Sequence, residues 1–262
     1  MPEEPNPKAK AHPIRSRGIA RPSSRASGYA ELDVTSNFTF LDGASHPDEL
    51  MDAAGDLGYR AIAIADLHSL AGIVRAHVAA EQRGVQLIVG ARVRARDACG
   101  AAVLLYPTDR ASYARLCRLL TLGKRRAVKG DCELFLSDLT ADNDGLLAVA
   151  VPPHRLDAAC VGVLKQLRGS FDDDRLSIAM RRTLRQDDEA RVRDIADLGG
   201  QLGIPRVATN AVHYHRAERR RLQDVLTCIR HGCTIEAAGW KLYENSERHL
   251  KRPEEMIELF RG

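Results

Sequence analysis

The chain has 262 residues, with 44% hydrophobic and 28% charged side chains and a formal charge of +4. That length buries a sizeable core, and one α/β barrel of this size is ordinary. No run of about 18 apolar residues exists, which argues against a transmembrane helix, and the Pro-, Arg- and Ser-rich start has no apolar stretch of the secretory kind. A cytoplasmic protein is therefore expected. The six cysteines (Cys99, Cys117, Cys132, Cys160, Cys228 and Cys233) show no Cys-x-x-Cys pairing, so they are expected to be reduced, mostly buried thiols rather than zinc ligands. Residues 1–28 hold six Lys/Arg against two acids, which leaves 33 bases and 33 acids in the remainder. The basicity belongs to this tail, expected to be a disordered extension able to touch DNA phosphates nonspecifically.

From residue 29 onward, short apolar runs alternate with amphipathic segments. Residues 30–35 read as a strand. Ser45 has Asp48 three residues on, the spacing of a capping box, and a helix should run from there to Leu57 and stop at Gly58. Strand 60–65 and helix 69–83 follow, the helix ended by Gly84. Strands are expected at 85–89, 93–96 and 101–106, then a helix at 112–122 closed by Gly123. Beyond it come strand 146–151, helix 156–167, strand 175–180, helix 187–202, strand 206–209, and helices at 216–230 and 253–260.

Strands of four to six residues between helices of ten to fifteen signify repeated βα units and a parallel sheet. Six or seven such units favour a closed barrel over an open doubly wound sheet. No Gly-x-Gly-x-x-Gly turn follows the first strand, which weighs against a dinucleotide site. Chemistry in parallel barrels sits where strands hand over to loops at their C-terminal ends. The positions to inspect are thus 33–36, 66–69, 90–92 and 210–215.

Those positions carry a family likeness. Glu31-Leu32-Asp33-Val34-Thr35-Ser36 with Phe40-Leu41-Asp42-Gly43-Ala44-Ser45, Ala61-Ile62-Ala63-Ile64-Ala65-Asp66 with Leu70-Ala71-Gly72, residues 84–90, and Val207-Ala208-Thr209-Asn210-Ala211-Val212-His213-Tyr214 with Asp224-Val225-Leu226-Thr227-Cys228-Ile229 occur in order. Together they resemble the polymerase-and-histidinol-phosphatase (PHP) domain. That domain opens the alpha subunit of bacterial DNA polymerase III (the C family) and its error-prone relatives, and the wording of residues 37–47 and 69–77 is similar to the error-prone branch. The resemblance implies a distorted (β/α)7 TIM-like barrel over residues 29–262, cut before the polymerase palm and thumb. It implies a role in translesion DNA synthesis and repair, with the remaining polymerase domains or other polymerase subunits as partners and no membrane.

In active members, His, Asp, Glu and sometimes Cys hold divalent metals at the barrel mouth, because imidazoles and carboxylates neutralise clustered cations and generate metal-bound hydroxide. The matching positions here depart from that set. The first His-x-His falls on Asp33 and Thr35, and the Asp-His on Asp66 and Leu67, with His68 displaced by one. The Glu after the third strand falls on Arg92, residues 179–184 contain no His, and at the late Asp-x-His, Ala211 replaces the acid beside His213. An always-protonated guanidinium repels divalent ions. Arg92 is therefore expected to pair with Asp33 and Asp66 in place of metals, leaving a vestigial, noncatalytic site and no cofactor.

The competing view, a Mg-, Mn- or Zn-dependent phosphoesterase or 3′–5′ exonuclease, would rest on Asp33, Asp66, His68 and His213. A third is a binding module for DNA or a polymerase subunit, using the tail and a phosphate-contacting Arg216, Arg219 and Arg220. Each residue also has a plainer reading: Asp66 as a cap for the next helix, His68 and His213 as hydrogen-bonded loop histidines, and the arginines, with Lys124-Arg125-Arg126 and Asp172-Asp173-Asp174, as solvated surface.

Overall fold

The computed structural model describes residues 28–261; the basic tail, Gly28 apart, lies outside them. Six strands form one curled sheet whose order follows the chain: β1 (Ala61–Leu67), β2 (Gln86–Val93), β3 (Ala102–Pro107), β4 (Leu146–Val151), β5 (Leu176–Arg181) and β6 (Arg206–Thr209). β1 and β2 pair in parallel from Ala61 opposite Gln86 to Leu67 opposite Arg92. β4, β5 and β6 are also mutually parallel. β3 runs antiparallel to both neighbours, which corrects the all-parallel expectation. The link of residues 94–101 contains no helix, and a parallel return needs a crossover of a dozen residues or more.

Residues 31–35 supply the seventh stave. Ala63 and Ala65 donate backbone N–H bonds to the carbonyls of Glu31 and Val34 on one side (both 2.8 Å). On the other, Thr35 donates to Val212, and Val212 donates to Asp33, again at 2.8 Å. The expected first strand thus exists as two bridges, Glu31 to Ile62 and Val34 to Val212, and these close the sheet into a distorted barrel.

The helices form where periodicity and end signals place them, with local shifts. α1 (Pro47–Asp56) begins one residue later than expected: His46 is the N-cap, its N–H donating to Glu49 Oε2 at 2.9 Å, and Pro47 fills the first turn where no N–H is needed. Ser45 instead accepts from the His215 N–H (3.0 Å) and contacts His215 Nδ1 (2.8 Å). α2 (Ile73–Arg83) starts after a turn at residues 69–72 and ends on Gly84 at φ 66°, a left-handed conformation that favours glycine. α3 (Arg110–Arg126) is capped by Asp109, which accepts from the Ser112 N–H at 2.7 Å, and runs through Gly123 rather than stopping there. A Cβ at Gly123 would lie 2.5 Å from Cys132 Sγ, so this glycine serves close packing rather than termination. A short α4 (Leu136–Ala141) follows, then α5 (Ala158–Ser170), α6 (Asp188–Leu202), α7 (Arg220–His231), α8 (Ile235–Ala238) and α9 (Pro253–Leu259).

Strand alternation sorts side chains between the helix layer and the barrel interior. Ile62 and Ile64 of β1 pack with Leu50 and Met51 of α1 and Ala76 of α2. Leu105, Leu116, Leu164, Phe171 and Ile178 form the core beneath α3, α5 and α6. Full burial of each such side chain stabilises by about 1.5–3 kcal/mol. The opposite faces give a narrower interior of Ala63, Ala65, Leu104, Tyr106, Val149, Val151 and Ala179. The same period of two carries Arg92, two residues beyond Gly90, and Arg181, two beyond Ala179, onto the inner face. No helix among the described residues is long and apolar enough to cross a membrane.

Candidate functional site

The C-terminal ends of β1, β2 and β5 and the end of the 31–35 stave meet at one mouth of the barrel. Asp33 is fully buried there, and both its oxygens are occupied: Oδ1 accepts from Arg92 Nη2, and Oδ2 accepts from Arg181 Nη2. Burial pushes the Asp33 carboxyl up, but Arg181 and then Arg92 more than offset this and hold it below the usual carboxylate range. Burial in turn draws the Arg181 guanidinium down to about 10, against the pull of Asp33. Arg181 therefore remains a cation at neutral pH.

Asp66 lies outside this cluster, contrary to expectation. Its Oδ1 accepts from the Ser36 N–H and from Thr39 Oγ1 (both 2.8 Å), and its Oδ2 accepts from Ser36 Oγ at 2.7 Å. Nor does it cap the next helix, whose N-cap is Gly72. Asp66 folds the 36–39 turn against the end of β1, with Thr39 Oγ1 also accepting from the Leu67 N–H (2.9 Å). Burial raises the Asp66 carboxyl, against the bonds from Ser36 and Thr39.

The two histidines are tied to backbone. His68 adopts φ 52°, and its Nε2 accepts from the Arg94 N–H at 2.9 Å; burial lowers its pKa. His213 Nδ1 sits 2.7 Å from the Ala211 carbonyl, so that nitrogen is the donor, and Nε2 faces the Tyr243 hydroxyl (3.2 Å) and Asp42 (3.7 Å). Ala211, where the family has an acid, is buried at φ 51°. Thr35 is buried with its hydroxyl unpartnered, and Leu67 pairs in register with Arg92.

These donors do not fit a divalent cation. Asp33 has no free oxygen, His68 spends its lone pair on a peptide N–H, and Asp66 is saturated by hydroxyl and amide donors. Among the described residues no group of three or more His, Cys, Asp or Glu converges to hold a metal ion. A divalent ion placed here would also meet Arg92 and Arg181, at about 1 kcal/mol of repulsion per unit-charge pair at 4 Å even in bulk water.

Of the arginines expected on phosphate, Arg219 is ion-paired with Glu49, and Arg220 donates to the Tyr243 carbonyl (2.7 Å) and lies 3.5 Å from Asp224. Arg216 is exposed. Lys124, Arg125 and Arg126 end α3, where Arg126 pairs with Asp138.

Sequence reasoning missed Arg181 and Glu31. Arg181 lies within residues 179–184, where only the lack of histidine was noted; continuing the alternation from Ala179 would have turned it inward. Glu31 is fully buried, accepting from the Asp33 N–H (2.8 Å), the Asn210 N–H (2.9 Å) and the Tyr29 hydroxyl (2.8 Å). It joins the first stave to the end of β6, and burial pushes its carboxyl up to about 7.

A distorted barrel with acid, histidine and arginine positions at these strand ends has the architecture of the PHP fold. The PHP domain profile matches residues 31–202, and the chain belongs to that family. It is 45% identical to error-prone DNA polymerase 1 of Agrobacterium fabrum over 232 residues, 88% of this chain and 21% of that polymerase. The error-prone DNA polymerase of Caulobacter vibrioides gives the same identity and coverage. The chain thus spans about a fifth of the length of these curated relatives. Among solved structures, an amidohydrolase of Chromobacterium violaceum superposes with a TM-score of 0.54 at 15% identity, over 70% of this chain and 87% of its own. A protein of Bifidobacterium adolescentis, described as a metal-dependent phosphoesterase, gives 0.51 at 14% with the same coverage.

Proposed function

We propose that residues 29–262 form the PHP domain of an error-prone translesion DNA polymerase and act as architecture rather than as a metallohydrolase. The observation that carries this is the pairing of Asp33 with Arg92 and Arg181, which fills the first acidic position of the mouth with two cations. Continuity of the domain beyond residue 202 is supported by Val212, which closes the ring against Asp33 and Thr35. Nucleotidyl transfer then belongs to residues in the other four fifths of such a polymerase.

A surface suited to those domains lies on α7 and α8. Val225 and Ile229 of α7 and Ile235 of α8 are exposed, and Trp240 is 94% accessible. Val225, Ile229 and Ile235 line one hollow, and exposed apolar surface of this kind is expected to be covered in an assembly. No metal is needed for that role.

Two measurements test the two halves. A 3′–5′ exonuclease and phosphodiesterase assay with added manganese should give no hydrolysis, and metal analysis should find no stoichiometric ion; turnover that disappears in Asp66→Ala would overturn the noncatalytic assignment. Association with the remaining domains of the polymerase should weaken at least tenfold in an Ile229→Asp/Trp240→Ala variant. Unchanged association would refute the docking role of this face.

A further inference from the structure

Beside the Asp33 cluster the barrel mouth opens into a cavity of about 240 Å³ that an architectural role leaves unused. Six arginines line it: Arg92, Arg94, Arg181, Arg185, Arg191 and Arg248. The carboxylates at hand are Asp187 and Asp188 in the wall, Asp33 behind it and Glu244 against Arg185, which leaves a surplus of two positive charges. Asp188 is committed to backbone, accepting from the N–H groups of Thr183 (2.5 Å) and Arg185 (3.2 Å). Asp187 lies 3.2 Å from His154 Nε2 and 3.7 Å from Arg185 Nε.

The arginines are held in place, yet their donors are not used up. Arg191 is anchored on the carbonyls of Pro152 (3.2 Å), Pro153 (2.8 Å) and His154. Arg248 stacks 4.0 Å over the Tyr243 ring. The Nε atoms of Arg181 and Arg185 are buried without a hydrogen-bond partner, a costly state for a charged donor. Among the described residues neither Arg94 nor Arg248 is ion-paired; Arg92 and Arg181 share Asp33, and Arg185 reaches Glu244 at 2.9 Å.

We propose that this cavity is a metal-free binding site for a small phosphate-type oxyanion, one or two phosphoryl groups in size. Guanidinium forks match the oxygens of such an anion two at a time and are favoured over ammonium groups for this geometry. The volume falls below the range of about 300–1,000 Å³ that drug-sized ligands occupy. No Phe, Tyr or Trp lines the cavity, so it lacks the stacking platform by which proteins hold unpaired bases. Phosphoryl groups, rather than a nucleic-acid strand, are what the walls recognise.

The test is calorimetric titration of the full chain with sodium phosphate and sodium pyrophosphate at low ionic strength. Saturable binding is expected for at least one anion. Its Kd should rise at least tenfold in an Arg94→Ala/Arg248→Ala variant, two side chains that no described residue pairs in a salt bridge, and stay unchanged in Arg216→Ala. In nitrogen-15 spectra of the unmodified chain, the Nε–H signals of Arg181 and Arg185 should shift on addition of the same anion, a readout that needs no variant. Absence of saturable binding by both anions overturns the proposal, as does binding that the double variant leaves intact. A 5′-phosphorylated oligonucleotide that binds where both free anions fail also overturns it, and points to a DNA contact instead.

Discussion

Replacing Asp33 by Asn separates an ion-paired site from a metal site. The carboxylate is completely buried and is the shared partner of Arg92 and Arg181. Asn is nearly isosteric but neutral, so it leaves the buried Arg92 and the partly buried Arg181 uncompensated and turns its amide donor toward a guanidinium donor. Removing one partner from a buried ion pair typically costs about 3–5 kcal/mol, a fifth or more of the roughly 5–15 kcal/mol that stabilises a typical domain. With about 2–4 °C lost per kcal/mol in domains of this size, Tm should fall by roughly 10 °C. Asp66→Asn is the control. Its partners are two hydroxyls and one peptide N–H; an amide can accept two of these bonds and donate the third to Ser36 Oγ, so the loss should stay near 1 kcal/mol. Thermal and urea unfolding followed by circular dichroism, with chelator present, measures both. Equal, small shifts in the two variants would refute the view that Arg92 and Arg181 depend on Asp33 for their burial.

The pH response of Glu31 follows from its elevated carboxyl. Because the folded value is about 7 against 4.5 for an ordinary Glu, the folded state holds the proton more tightly, and stability falls as pH rises from about 4.5 to 7. The full loss is about 3 kcal/mol. Urea midpoints at pH 5 and 7, taken as the difference from Glu31→Gln, read it, since His68 and His215, lowered by burial, contribute with the opposite sign in both proteins; a difference that grows in favour of the unmodified chain with pH would contradict it. Gly123→Ala should destabilise by about 1–3 kcal/mol, despite the roughly 1 kcal/mol helix preference for Ala. The new methyl would stand 2.5 Å from Cys132 Sγ and 2.7 Å from Leu134 Cγ, and a raised urea midpoint would show that the 132–134 segment yields. Ser45→Ala removes the acceptor for the His215 N–H and should cost about 1 kcal/mol, checked by the same denaturation.

Much of the fold was legible in the sequence because its signals are local. β4 and β6 fall on the expected residues, since each is a short apolar run bounded by turn residues. Gly84 and Gly203 end α2 and α6 as left-handed caps, at φ 66° and 62°. The reversal of β3 was not legible: an apolar strand reads the same in either direction, and only the short 94–101 link limited it. Gly123 misled because a helix-ending glycine and a close-packing glycine are spelled identically. At the site, Asp33 beside Arg92 could be expected from charge alone. The separation of Asp66 could not, because Ser36 and Thr39 compete for it through a turn whose shape depends on Gly43, where a Cβ would sit 2.1 Å from the Ser36 carbonyl oxygen.

The closing of the ring by residues 31–35 bears on how the chain reaches its native state. The stave that emerges first from synthesis must pair with Val212, nearly 180 residues later, so the barrel cannot seal until most of the domain is available. Until then the outer edge of the 31–35 stave and the end of β6 are unpaired, the kind of surface that invites association between partly folded copies. Contacts this distant in sequence also slow folding. Substitutions that loosen the Glu31 junction with Asn210 should therefore lower the yield of monomeric protein before they alter the finished structure, and the loss should deepen as synthesis becomes more crowded.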